Sequence, residues 1–244
     1  MKKLMDLKML PSEVFEEKKY VKVSKYLPNN MTNLICKYVK IQNERVKSFV
    51  EADYSFNKHL EGDITGDPLV QDSFCRYADP FMDTFLDQSK DDIEFFVGEE
   101  LIPTYSYYRV YKEGMILEKH TDRPSCEISV SLCLGYDFSN LEDAKNKSWP
   151  ILVNNSGKRD QEGIPIFLDV GDIIVYEGCN VEHWREPFEG AECVQLFLHY
   201  VRKTGNFSDF CKFDGRPKLG LPSYFKDNEK NEEMNKNIID LLPP

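Results

Sequence analysis

From Cys126 to Leu134 apolar and polar side chains alternate without a break. Ile128, Val130, Leu132 and Leu134 share one face, and Glu127, Ser129, Ser131 and Cys133 share the other. Successive strand residues point to opposite sides of a sheet, so this is a strand with one apolar and one polar face. The stretch TYSYYRVY, aromatic and β-branched, predicts another strand, closed by Lys112-Glu113-Gly114 as a turn. Further strands are expected at Tyr20 to Tyr26, at Trp149 to Val153, at IIVY after the Gly171-Asp172 turn, and at Val194 to Val201. The polar run NNSGKRDQEG behind the Trp149 segment predicts a hairpin loop. Ahead of residue 101 the period changes. Leu34, Ile35, Tyr38, Val39, Ile41, Val46 and Phe49 recur at helical spacing, predicting an amphipathic helix over Met31 to Val50. A second helix is expected over Leu69 to Gln88 and a third around Ile93 to Leu101, after a turn-rich break from Asp63 to Pro68. Residues 1 to 19 form a polar, partly helical lead-in, and the segment after residue 203 a tail whose NEEMNKNIIDLL end predicts a short helix. Helices followed by strands make an α+β chain with a mainly β core. One domain is expected over residues 1–244: mainly helical support over 1–100, a strand core over 101–202, a tail over 203–244.

The densest chemistry lies between two predicted strands, at His120-Thr121-Asp122. In an extended chain His120 and Asp122 project to one side. An imidazole and a carboxylate on a common face form two-thirds of a facial triad for non-haem Fe(II), which needs a second histidine. His183, 61 residues past Asp122, follows the apolar run GDIIVYEGCNVEH. The bland alternatives are a chance tripeptide and a histidine packed beside Trp184. Of the other histidines, His199 sits inside VQLFLHYV, where a core or solvent role fits best, and His59 in a charged, loop-like stretch.

Composition narrows the choice. The 244 residues are 41% hydrophobic and 13% aromatic, which makes a globular fold. A net charge of −11 with a pI near 5.0 argues against a nucleic-acid partner, because phosphate binding draws on clustered Lys and Arg. No run has the roughly 18 apolar residues of a membrane helix, and the opening MKKLMDLKMLPSEV is too broken by charge and Pro11 for a secretory leader. Seven cysteines without CxxC pairing predict reduced thiols, hence a cytoplasmic setting without cysteine-ligated zinc.

The segments RVYKEGMILEKHTD, EISVSLCLG and GDIIVYEG…EHWREPFEG, closed by an apolar strand, resemble the Fe(II)- and 2-oxoglutarate-dependent dioxygenases, in particular their prolyl-4-hydroxylase-like branch. The resemblance covers about residues 100 to 202. It implies a double-stranded β-helix (a cupin-like jelly roll) over 101–202, braced by the N-terminal helices, with the polar face of the Ser129–Ser131 strand turned inward. It implies Fe(II), with 2-oxoglutarate and O2 as cosubstrates, and His120, Asp122 and His183 as the catalytic metal ligands. The intact Asp122 argues against halogenation, for which related enzymes replace that carboxylate. Where such enzymes keep a basic residue for the distal carboxylate of the keto acid, nine and ten residues past His183, this chain has Glu192 and Cys193. Two arginines remain: Arg185, which shares a face with His183, and Arg109, which shares one with Tyr111. Tyr111 matches a position where a tyrosine bonds the cosubstrate, and Ser129 or Ser131 adds a hydroxyl. The expectation is Arg185 as anchor and Arg109 as its rival. The reaction implied is hydroxylation of an unactivated C–H bond in a small molecule, amino acid or peptide, with release of succinate and CO2. The alternative is a jelly-roll module that binds metal or ligand without turnover.

Overall fold

The computed structural model describes residues 9–143, 147–158 and 161–226. The helices are α1 (Pro11–Lys18), α2 (Asn29–Glu51), α3 (Lys58–Glu61), α4 (Pro80–Val97) and α5 (Ser208–Cys211). The strands are β1 (Tyr20–Val23), β2 (Gly66–Asp67), β3 (Val70–Gln71), β4 (Phe74–Tyr77), β5 (Leu101–Lys112) and β6 (Leu117–His120). They continue as β7 (Ile128–Asp137), β8 (Ile151–Asn154), β9 (Ile164–Ile166), β10 (Ile173–Glu177), β11 (Glu182–Arg185) and β12 (Glu192–Arg202). All pairings are antiparallel. A six-stranded sheet runs β1-β10-β7-β12-β5-β4, and a four-stranded sheet runs β6-β11-β8-β9. The element called for at the end of the tail lies outside the described residues.

The alternation in β7 decides which way each face looks. Val130, Leu132 and Leu134 join Leu196 and Leu198 of β12 and Val110 of β5 in a core closed by Ile35, Val39 and Val46 of α2 and Met82, Leu86 and Ile93 of α4. Each such aliphatic side chain contributes roughly 1.5–3 kcal/mol on burial. Ser129, Ser131 and Cys133 therefore point to the opposite face, toward the small sheet, and all three are buried.

Two helix boundaries differ from the sequence expectation. Residues 69–88 are not one helix: β3 and β4 come first, and α4 starts only at Pro80. Asp79 caps it, its carboxylate accepting from the backbone N–H groups of Phe81 and Met82, and Pro80 fills the first helical position, where no amide donor is needed. There is also no separate helix at Ile93 to Leu101. Ile93 belongs to α4, which ends at Gly98 in the left-handed conformation, and Leu101 opens β5. Within residues 1–100, β1, where a strand is expected, and β4, where a helix is expected, form the two edges of the large sheet.

The described part of the tail is tied to the core. Arg216 is fully buried and pairs with Asp83 of α4 at 3.1 Å. Its other nitrogen donates to the Thr104 carbonyl at 2.8 Å. No helix among the described residues is long and apolar enough to cross a membrane. None of the seven cysteines forms a disulfide among the described residues.

Candidate metal centre and its cavity

β6 and β11 pair so that His120 and His183 are direct partners across the ladder. Their ring centroids lie 4.3 Å apart. Asp122 follows on the loop after β6, with Oδ1 3.6 Å from His120 Nε2 and 3.7 Å from His183 Nε2. The three ligand atoms all fall within 4.8 Å of one another. Each imidazole uses Nδ1 on a backbone carbonyl: Glu118 O at 2.6 Å for His120, Val181 O at 2.9 Å for His183. A carbonyl oxygen only accepts, so both Nδ1 atoms carry protons and the Nε2 lone pairs face the Asp122 carboxylate. Three electron-rich donors aimed at one point repel unless a cation lies between them. The donor set, two imidazoles and one carboxylate with backbone-fixed tautomers, fits Fe(II).

Burial lowers His183 below the usual imidazole range, and His183 is 2% exposed. Burial acts on His120 in the same sense, but hydrogen bonds to Asp122 and the Glu118 carbonyl outweigh it and raise this ring. Burial works to raise the Asp122 carboxyl, yet the neighbouring imidazoles of His183, His120 and His199 and the Ser129 hydroxyl favour its ionised form and hold it well below the ordinary carboxylate range. An ionised carboxylate between two imidazoles is the state a divalent metal requires, and a proton and the metal compete for His120 Nε2.

The loop carrying Asp122 is fixed from three sides. Asp122 N–H donates to Gly178 O at 2.8 Å, and Gly178 N–H donates to Glu127 O at 3.0 Å. Gly178 is needed for space: a Cβ there would stand 2.2 Å from Cys126 O, 2.4 Å from Asp122 Oδ2 and 2.8 Å from Ser129 Oγ. From inside the barrel, Ser129 Oγ donates to Asp122 Oδ2 at 2.7 Å. With its one proton so placed, Ser129 Oγ accepts from His199 Nδ1 at 3.0 Å. His199 is thus more than a core residue. It lies 6% exposed on the inner face of β12, linked to the Asp122 carboxylate by two hydrogen bonds through Ser129, its ring centroid 4.6 Å from that of Tyr105. Burial pushes its imidazole down to about 4. The third support comes from the C-terminal strap. Arg123, next to Asp122, binds Asp214 through two parallel hydrogen bonds of 2.6 and 2.8 Å. Tyr77 and Lys226 meet the same carboxylate at 2.7 and 2.6 Å. Phe213 and Asp214 are both left-handed, with φ of 51° and 55°. Side chains other than glycine cost about 1–2 kcal/mol each in that conformation, so the clamp is held against local strain.

Beside the donor cluster lies a cavity of about 130 Å³, lined by the three donors and, among others, Asp67, Tyr107, Arg109, Tyr111 and Phe197. Arg109 pairs with Asp67. Its guanidinium carbon lies 5.2 Å from the ring centre of Tyr107 and 5.5 Å from that of Tyr111. Arg185, the sequence-derived anchor, is 1% exposed but is not among the side chains lining the cavity. One guanidinium nitrogen donates to Trp149 O at 2.5 Å. The other reaches Ser131 Oγ and Gln195 Oε1, both at 3.5 Å. Among the described residues no carboxylate lies within ion-pair distance of it, and its Nε has no partner. Glu192 pairs with Lys40, and Cys193 is buried beside Gln195, so these two positions past His183 supply no cation. The structure therefore brings His120, Asp122, His183 and Ser129 into one cluster, Arg109 and Tyr111 to the cavity wall, and Arg185 and Ser131 into a second contact group.

Sequence reasoning missed Asp67, Gly178, Gln195 and Asp214. Gln195 and His199 had a signal: they are polar positions of one parity in an otherwise apolar strand. Asp67 and Asp214 had none, because their partners lie 42 and 91 residues away.

The sequence matches no known family profile and no curated protein. Solved structures do resemble it. A prolyl-4-hydroxylase from Pseudomonas putida superposes with a TM-score of 0.56 at 15% identity, covering 80% of this chain and 99% of that one. A 2OG-Fe(II) oxygenase family oxidoreductase from Burkholderia pseudomallei gives 0.54 at 16%, covering 80% and 91%. The non-heme alpha-ketoglutarate-dependent carbocyclase SnoK from nogalamycin biosynthesis gives 0.60 at 10%, covering 89% and 96%. The chain has the jelly-roll fold of these oxygenases.

Proposed function

We propose that this chain is an Fe(II)- and 2-oxoglutarate-dependent oxygenase, hydroxylating an unactivated C–H bond of a small molecule, amino acid or peptide. The observation that carries the reading is the convergence of both Nε2 lone pairs on the Asp122 carboxylate, with both Nδ1 protons committed to carbonyls. His120, Asp122 and His183 would hold the iron. Iron held there would supply the coupling of keto-acid decarboxylation, which yields succinate, to oxygen insertion into substrate. The protein's part is to bind, orient and exclude water. Ser129 and His199 keep the second carboxylate oxygen of Asp122 engaged, so that its partner stays aimed at the metal position. Arg185 would receive the distal carboxylate of 2-oxoglutarate, with Ser131 and Tyr111 beside it. A buried guanidinium without a carboxylate is costly, and a ligand carboxylate relieves that cost through a charge-assisted bond. Arg109 already has its countercharge in Asp67, which is why we assign the anchor to Arg185.

Adding 2-oxoglutarate to the anaerobic Fe(II) protein tests the reading. A visible charge-transfer band, followed by succinate on admitting air, is the expected result. A metal-binding jelly roll without turnover would bind Fe(II) and give neither.

A further inference from the structure

Asp67 and Arg109 are the charged side chains that line the cavity besides the donor cluster. They are unequal partners. Arg109 is 3% exposed and is the ninth residue of the 12-residue β5, which lies between β4 and β12 in the large sheet. Asp67 is 30% exposed on β2, which forms a separate two-stranded sheet with β3. Its Oδ1 accepts from the backbone N–H groups of Leu69 and Val70 at 3.0 and 3.1 Å, which leaves Oδ2 to face Arg109 and the cavity.

Arg109 is also not saturated. A guanidinium offers five N–H donors. One terminal nitrogen serves Asp67 and the Tyr107 hydroxyl, and among the described residues the other reaches only the Tyr111 hydroxyl, at 3.4 Å, while the buried Nε has no partner. A second carboxylate would complete the fork. Its arrival would put two anions against one cation, an imbalance that is costly at low dielectric. Asp67 Oδ2 then needs a positive partner beyond Arg109 and the Tyr107 hydroxyl, and an ammonium on the same ligand supplies it. A dicarboxylate leaves the excess charge uncompensated, and a simple amine competes with Arg109 for Asp67. A zwitterion alone keeps two positive and two negative charges in the pocket. An internal peptide segment carries neither terminal charge and so lacks this pattern.

We propose, resting on the oxygenase reading above, that the substrate is a free α-amino acid, its carboxylate on Arg109 and its ammonium on Asp67.

The test is an anaerobic titration of the protein loaded with Fe(II) and 2-oxoglutarate, read by calorimetry and by the visible band. The probes are the free L-amino acids, their N-acetyl derivatives and their carboxamides. One free amino acid should bind at least tenfold more tightly than both of its derivatives. Arg109→Gln should weaken that binding 10- to 150-fold while the keto-acid band still forms. Asp67→Asn should erase the preference for the free amine over the N-acetyl form. This selectivity readout stands even if Arg109→Gln fails to fold. A wild-type protein that forms the band yet binds no amino acid overturns the inference. So does equal binding of a free acid and its derivatives. Loss of the band itself in folded Arg109→Gln would make Arg109 the cosubstrate anchor and also overturn it. Absence of the band in wild type sinks the oxygenase reading, and this inference with it.

Discussion

Gly178→Ala tests whether the seat of Asp122 governs the metal site. The residue has ordinary backbone angles, so the effect of a methyl group is steric. It meets Asp122 Oδ2 at 2.4 Å and Ser129 Oγ at 2.8 Å. Ordinary contact begins near 3.5 Å, so relief requires a shift of roughly 1 Å. The Cys126 carbonyl, 2.2 Å away, is backbone and yields little, which leaves the side chain of Asp122 to move. A ligand displaced by about 1 Å loses on the order of 100-fold in affinity or rate. Overpacking also lowers stability by about 1–3 kcal/mol, a fall in Tm of roughly 2–12 °C for a chain of this size. Anaerobic calorimetry with Fe(II), at a temperature where circular dichroism shows the variant folded, separates the two effects. A folded Gly178→Ala protein that binds Fe(II) within twofold of wild type would refute the argument.

Three further outcomes are expected. His120→Ala, Asp122→Ala and His183→Ala should each abolish Fe(II)-dependent succinate formation with near-native circular dichroism; full activity in any one removes it from the triad. Arg185→Gln should weaken 2-oxoglutarate binding about 10- to 150-fold and leave Fe(II) affinity nearly unchanged, and a spectroscopic titration of the band decides. Asp214→Asn removes a carboxylate that burial tends to raise but that Arg123 and Lys226 hold below the ordinary range. A carboxyl depressed in the folded state adds stability above the unfolded value near 3.9 and loses it as pH falls through the folded value. The urea-midpoint gap between wild type and Asp214→Asn should therefore be flat near neutrality and close in acid below about pH 4; a gap that widens in acid contradicts the clamp.

The fold was legible where one local period ruled. In β7 the alternation of Ser129 and Ser131 with Val130 and Leu132 marks two faces, and the inward sense of the polar face followed from the family resemblance. It shows in the bonds to Asp122 and Arg185. Residues 69–88 misled because Leu69, Val70, Phe74 and Tyr77 also fit a helical stripe, while strand pairing with Val110 and Tyr107 decided otherwise. Asp79-Pro80 was the available warning. The donors His120, Asp122 and His183 could be singled out because two of them form a tripeptide on one face. The partners that orient them could not, since a charge such as Asp214 has no local pattern.

The clamp on the Asp122 loop has a consequence in time. Arg123 and Asp214 are 91 residues apart in the chain. At synthesis rates of about 5–20 residues per second, roughly 5–20 seconds pass between their emergence. All three donors are already made by residue 183, so the nascent chain can meet metal while the loop is still anchored only by Gly178 and Ser129. The rigid form of the centre then waits until residues 208–226 have docked. Metal exchange should be fast before that docking and slow after it.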